Sequence, residues 1–113
     1  MAIESRRHVR RTVPGMVDVY DTIREESLGH IGNVSVGGML LIARHRLPDD
    51  ALFQLRFQLP DGLPGAPPLE VGAHVLWQDR AGAPGQFCVG MRFLGLAPEA
   101  VQRLRLWTEQ PDH

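Results

Sequence analysis

The sequence contains no lysine; all 12 of its basic side chains are arginine. It holds one cysteine, Cys88, so no disulfide can form within the chain, and the apolar run GQFCVGM around it reads as the setting of a small buried thiol. Aromatic residues make up 6% of the chain and the net charge is −1. A chain with neither excess positive charge nor many stacking rings is poorly suited to a nucleic-acid polymer, whose phosphates call for a basic surface. No apolar stretch approaches the ~20 residues needed to span a bilayer, and the opening MAIESRRHVRR lacks a hydrophobic signal core. The expectation is a cytoplasmic protein with no membrane partner. Internal repeats and low-complexity tracts are absent as well.

The arrangements that carry catalysis are also missing. Ser35 has no preceding glycine of the kind a nucleophile elbow needs. The histidines His8, His30, His45, His74 and His113 show no ligand-type spacing, and one cysteine gives them no support as a zinc site. Asp49-Asp50 and Glu25-Glu26 read as solvated loop charges. Gly37-Gly38 is not followed by the Lys-Ser/Thr of a phosphate loop. No catalytic residue and no metal site is expected, and the chain does not read as an enzyme.

What is present is one domain's worth of chain: 113 residues, 43% of them hydrophobic and 22% charged. Residues 1–13 are polar and Arg-rich and read as an exposed, flexible arm; residues 14–113 carry the body. Met16, Val17, Val19 and Tyr20 begin the β-type pattern. The segment His30 to Ala43 combines a turn-like NVSVGG with the apolar run MLLIA. Phe53, Leu55, Phe57 and Leu59 alternate with Gln54, Arg56 and Gln58, the mark of a half-buried strand. Pro60 to Pro68 reads as a loop with turn chemistry at Asp61-Gly62, and Leu69–Trp77 and Phe87–Phe93 read as a long hairpin. Pro98 opens a helix with Ala100, Val101, Leu104 and Trp107 on one face. The fold class is all-β: a six-stranded antiparallel β-barrel, which removes exposed strand edges, with a C-terminal α-helix.

Two segments stand out. Arg6-Arg7-His8-Val9-Arg10-Arg11 contains Arg-x-x-x-Arg in two frames, Arg6/Arg10 and Arg7/Arg11, and Asn33-Val34-Ser35-Val36-Gly37-Gly38 reads Asn-x-Ser-x-x-Gly. In this order and ahead of a β-rich body, they resemble the PilZ domain, the bacterial receptor for cyclic di-GMP. The tail Gly90-Met91-Arg92-Phe93 is similar to the Gly-x-x-Phe ending of that family's last strand. The resemblance implies a non-catalytic receptor whose arm folds over cyclic di-GMP and whose altered surface is read by an unidentified downstream protein. It implies ligand contacts from Arg6, Arg7, Arg11, Asn33, Ser35, Gly37 and Gly38, with Arg7 and Arg11 as the motif pair and Arg10 spare. Because Arg6 precedes that pair, the resemblance also implies two ligand molecules per chain.

The chemistry agrees. Guanidinium groups pair with phosphates and with the O6/N7 edge of guanine, and stack on bases. Asn33 and Ser35 suit a turn or a hydrogen bond to a base, while Gly38 allows a close backbone approach or a dihedral closed to other residues. Trp77 reads either as core packing or as an aromatic wall beside a guanine. Arg10, Arg80 and Arg92 are further candidates. A monomer or weak dimer is expected. Two other functions fit less well: a barrel of this family that binds a protein and no nucleotide, and a small single-stranded nucleic-acid-binding barrel.

Overall fold

Alternation of apolar and polar side chains decides this architecture, and it is clearest in the middle of the chain. In the computed structural model, which describes residues 9–60 and 65–110, the strand Leu52–Phe57 buries Phe53, Leu55 and Phe57 and turns Leu52 and Gln54 outward. Arg6, Arg7 and the Asp61-Gly62 turn lie outside the described residues. Among those described, the strands are β1 (Arg11–Thr12), β2 (Asp18–Asp21), β3 (Glu26–Val34), β4 (Gly38–Ala43), β5 (Leu52–Phe57), β6 (Leu69–Arg80) and β7 (Phe87–Leu94), followed by helix α1 (Pro98–Thr108).

All pairings are antiparallel. The order β3-β2-β5-β6-β7-β4 closes on itself through β3–β4, giving a six-stranded antiparallel closed barrel with a C-terminal helix, as expected. The two-residue β1 adds to β3 on the side that also carries β2, with Arg11 opposite Val34 and Thr12 opposite Asn33. β1 and β2 behave as one strand broken at Pro14-Gly15. Val13 N–H donates to Gly32 O and Ile31 N–H to Val17 O, so the ladder resumes across the break.

Strand β3 is longer than its sequence suggests. Gly29, Gly32 and Asn33 lower its β-propensity, yet Leu28, Ile31 and Val34 are buried along it. Gly29 is required by close approach: its φ is 151°, and a Cβ there would lie 2.0 Å from the Ile42 carbonyl oxygen. At the β2–β3 turn the buried Asp21 carboxylate accepts the N–H groups of Ile23 and Arg24 and pairs with the Arg24 guanidinium at 3.1 Å. Helix α1 starts with Pro98 in its first turn and Glu99 beside it, both favourable at a helix N-terminus. It buries Ala100, Leu104 and Trp107 against the barrel core, and each large side chain so buried contributes about 1.5–3 kcal/mol.

Candidate functional site

The β3–β4 turn is built by Ser35. Its hydroxyl oxygen accepts the N–H groups of Gly37 and Gly38 at 3.1 and 3.2 Å, and Ser35 N–H donates to Gly38 O at 2.8 Å. At 1% exposure this side chain is a turn-former inside the protein. The turn is anchored to β7 by Phe93 N–H, which donates to Gly37 O. Gly38 is needed for that approach, since a Cβ on it would lie 2.0 Å from the Met91 carbonyl oxygen.

Beside this turn lie two adjoining depressions of about 250 and 420 Å³. Arg10, Leu76 and Met91 border both; Asn33, Leu40, Trp77 and Gly90 line the first, and Ser35, Gly37, Arg92 and Phe93 the second. The register explains the gathering: Asn33 lies opposite Leu40, Leu40 opposite Gly90, and Gly90 opposite Trp77, while Arg92 lies between Gly38 and His74. Arg10 precedes β1 and donates from Nη1 to Asn33 Oδ1 at 2.8 Å. Among the described residues that line the two depressions there are two arginines and no carboxylate, an environment suited to an anion.

Adjacent residues of an extended arm point in opposite directions, and Arg11 goes the other way. Its guanidinium lies 4.3 Å from the ring centroid of Trp107, and Nη1 donates to the Trp107 carbonyl at 2.8 Å and to Gln110 Oε1 at 3.3 Å. It does not border either depression. Arg80 also sits elsewhere, near the end of β6, 6.0 Å from the Phe87 ring. Trp77 is half-exposed at the depression's wall, and Arg92 is exposed beside the turn.

Sequence reasoning did not pick out Leu76, Leu40 and Met91 as lining residues. The signal for Leu76 was the break in alternation at Leu76-Trp77, where two consecutive large apolar residues end a run of inward-outward order. No group of three or more His, Cys, Asp or Glu among the described residues could hold a metal ion. No helix among them is long and apolar enough to cross a membrane.

The family model of the PilZ domain matches residues 4–110. No curated protein matches the chain. Among solved structures, the chain is similar to the Bacillus subtilis inhibitor of motility MotI/DgrA, with TM-score 0.74 and 18% identity over 89% of this chain and 47% of that one. It is also similar to Escherichia coli YcgR in complex with c-di-GMP, with TM-score 0.68 and 17% identity over 87% of this chain and 42% of that one. The PilZ domain of YcgR with c-di-GMP gives TM-score 0.64 and 15% identity, over 87% of this chain and 84% of that one. The chain thus spans less than half the length of the first two relatives.

Proposed function

The chain belongs to the PilZ domain family, a fold family of cyclic di-GMP receptors that act without catalysis, and from that premise we propose that it binds cyclic di-GMP at the depressions beside the β3–β4 turn. The observation that carries the reading is Arg10 held on Asn33, with half-exposed Trp77 on one side and Arg92 on the other. A cyclic dinucleotide presents two phosphates and two flat bases. Guanidinium groups serve the phosphates, and an indole serves a base.

In this reading Arg10 is the arm's ligand arginine within the described residues, and Arg6, four positions earlier, shares its frame. Asn33 orients the Arg10 guanidinium, Ser35 and Gly38 shape the turn, and Gly37 offers backbone to the ligand. Arg11 anchors the arm to α1 and aims its neighbour. Arg6, which stands immediately before the Arg-x-x-x-Arg pair Arg7/Arg11 in the sequence, adds one more guanidinium that can pair with or stack on a second ligand molecule. On that ground we propose two cyclic di-GMP molecules per chain, and a downstream protein that reads the liganded arm.

Titration calorimetry with cyclic di-GMP, GTP and a short single-stranded RNA tests the assignment. Heat with cyclic di-GMP alone, at a ratio of two, supports it. Binding of the RNA alone would favour a nucleic-acid barrel, and silence with all three would favour a protein-binding adaptor. Arg6→Leu is expected to move the ratio from two towards one while binding persists.

A further inference from the structure

Strand β6 buries every second residue from Leu69 to Val75 and then loses that order: Leu76 and Trp77 are 53% and 51% exposed. The cause is a register shift between Val75 and Trp77. Val75 faces Met91 and Trp77 faces Gly90, so Leu76 is an extra residue with no opposite number on β7. A bulge of this kind re-aims side chains, and here it brings two large apolar groups to one wall.

The second half of the arrangement is on β7. A Cβ on Gly90 would lie 2.2 Å from Nε1, 2.3 Å from Cε2 and 2.8 Å from Cζ2 of Trp77. These three indole atoms are the nearest neighbours of that vacant position, so the ring lies across Gly90 in space that any other residue would fill. The tryptophan stays half-exposed and lines the 250 Å³ depression that Arg10 and Asn33 also line.

We infer that Gly90 is a positioning residue for ligand: it seats the Trp77 indole against the barrel wall, and the bulge at Leu76 turns that indole towards the depression as a platform for a purine base. The inference rests on the proposed cyclic di-GMP reading and adds to it a role for Gly90, a lining residue of the same depression, that is exerted through the Trp77 ring. A base stacked on a seated ring finds its platform already ordered, whereas an unseated ring must be ordered during binding. Gly90 has no positive φ, and the neighbours of its missing Cβ are indole atoms, so an added methyl group displaces the ring and leaves the strand's backbone unstrained.

The test is a double-mutant cycle with cyclic di-GMP: wild type, Gly90→Ala, Trp77→Ala and the double variant, each titrated by calorimetry. Gly90→Ala is expected to weaken binding at least about fivefold when Trp77 is present, the lower end of a lost base–aromatic stack, and to cost nothing further in the Trp77→Ala chain. Acrylamide quenching supplies a second readout, because Trp107 is 1% exposed and the quenchable emission belongs to Trp77. Ligand should protect that emission in the wild type and much less in Gly90→Ala. If Gly90→Ala alone fails to fold, the double variant, free of the clash, must fold and bind like Trp77→Ala. Wild-type affinity in Gly90→Ala, or an equal loss with and without Trp77, would overturn the inference while leaving the ligand assignment intact. A wild-type chain that does not bind cyclic di-GMP would overturn both.

Discussion

Arg10 and Arg11 are consecutive, yet their replacement by alanine is expected to separate affinity from stability. Arg11 lies over the Trp107 ring, a cation–π contact of about 0.5–2 kcal/mol, and donates a charged hydrogen bond to a carbonyl in the last turn of α1. That carbonyl, which also accepts the Gln110 N–H at 3.3 Å, lies at a helix end where positive charge is favoured. The contributions overlap, so their sum is an upper bound, and Arg11→Ala should cost about 2–3 kcal/mol of stability. For a domain of this size that lowers the melting temperature by roughly 8–12 °C. Arg10 is exposed and makes one hydrogen bond, to Asn33, so Arg10→Ala should change stability by less than about 0.5 kcal/mol. Its loss should instead weaken cyclic di-GMP binding by about 2–4 kcal/mol, roughly 30- to 700-fold. Thermal melts by circular dichroism and calorimetric titrations on both variants decide the matter. An Arg11→Ala chain that melts like wild type but loses affinity would refute the reasoning and return Arg11 to the ligand.

Ser35→Ala should lower stability by about 1–2 kcal/mol, because two turn N–H groups lose their acceptor, while affinity corrected for folding changes little; urea unfolding and calorimetry measure the two. Gly38→Val should be the most damaging change in the turn, since backbone oxygen stands 2.0 Å from the new Cβ, and a cooperative melt near the wild-type temperature would contradict the close-approach argument. Trp77→Ala should reduce affinity by about 1–3 kcal/mol at little cost to folding, and a large drop in melting temperature with unchanged affinity would make Trp77 a packing residue.

Much of the barrel is legible in the sequence because local alternation reports burial directly. Phe53 to Phe57 and Leu69 to Val75 show it plainly, and the apolar spacing after Pro98 marks the helix. Strand β3 is harder to read, since its glycines answer to a close crossing with β4 that no local pattern records. The family resemblance favours the Arg7/Arg11 frame in sequence, but which arginine of the Arg10-Arg11 pair turns towards the turn depends on the register of β1 against β3, a pairing over more than twenty positions. Gly90 is visible in sequence as part of a strand-end motif, but the ring lying across it comes from β6 by way of a bulge, which only the paired strands reveal.

The break at Pro14-Gly15 bears on how the arm could act. Barrel closure runs through β2–β5 and β3–β4, so it does not depend on the two-residue β1. The first segment is therefore a hinged tab on a sealed can: peeling it away exposes the Asn33 end of β3 and leaves the wall shut. Because Arg11 on that tab grips the last turn of α1, lifting the tab also takes that guanidinium off the helix end, while Leu104 and Trp107 still seat the helix in the core.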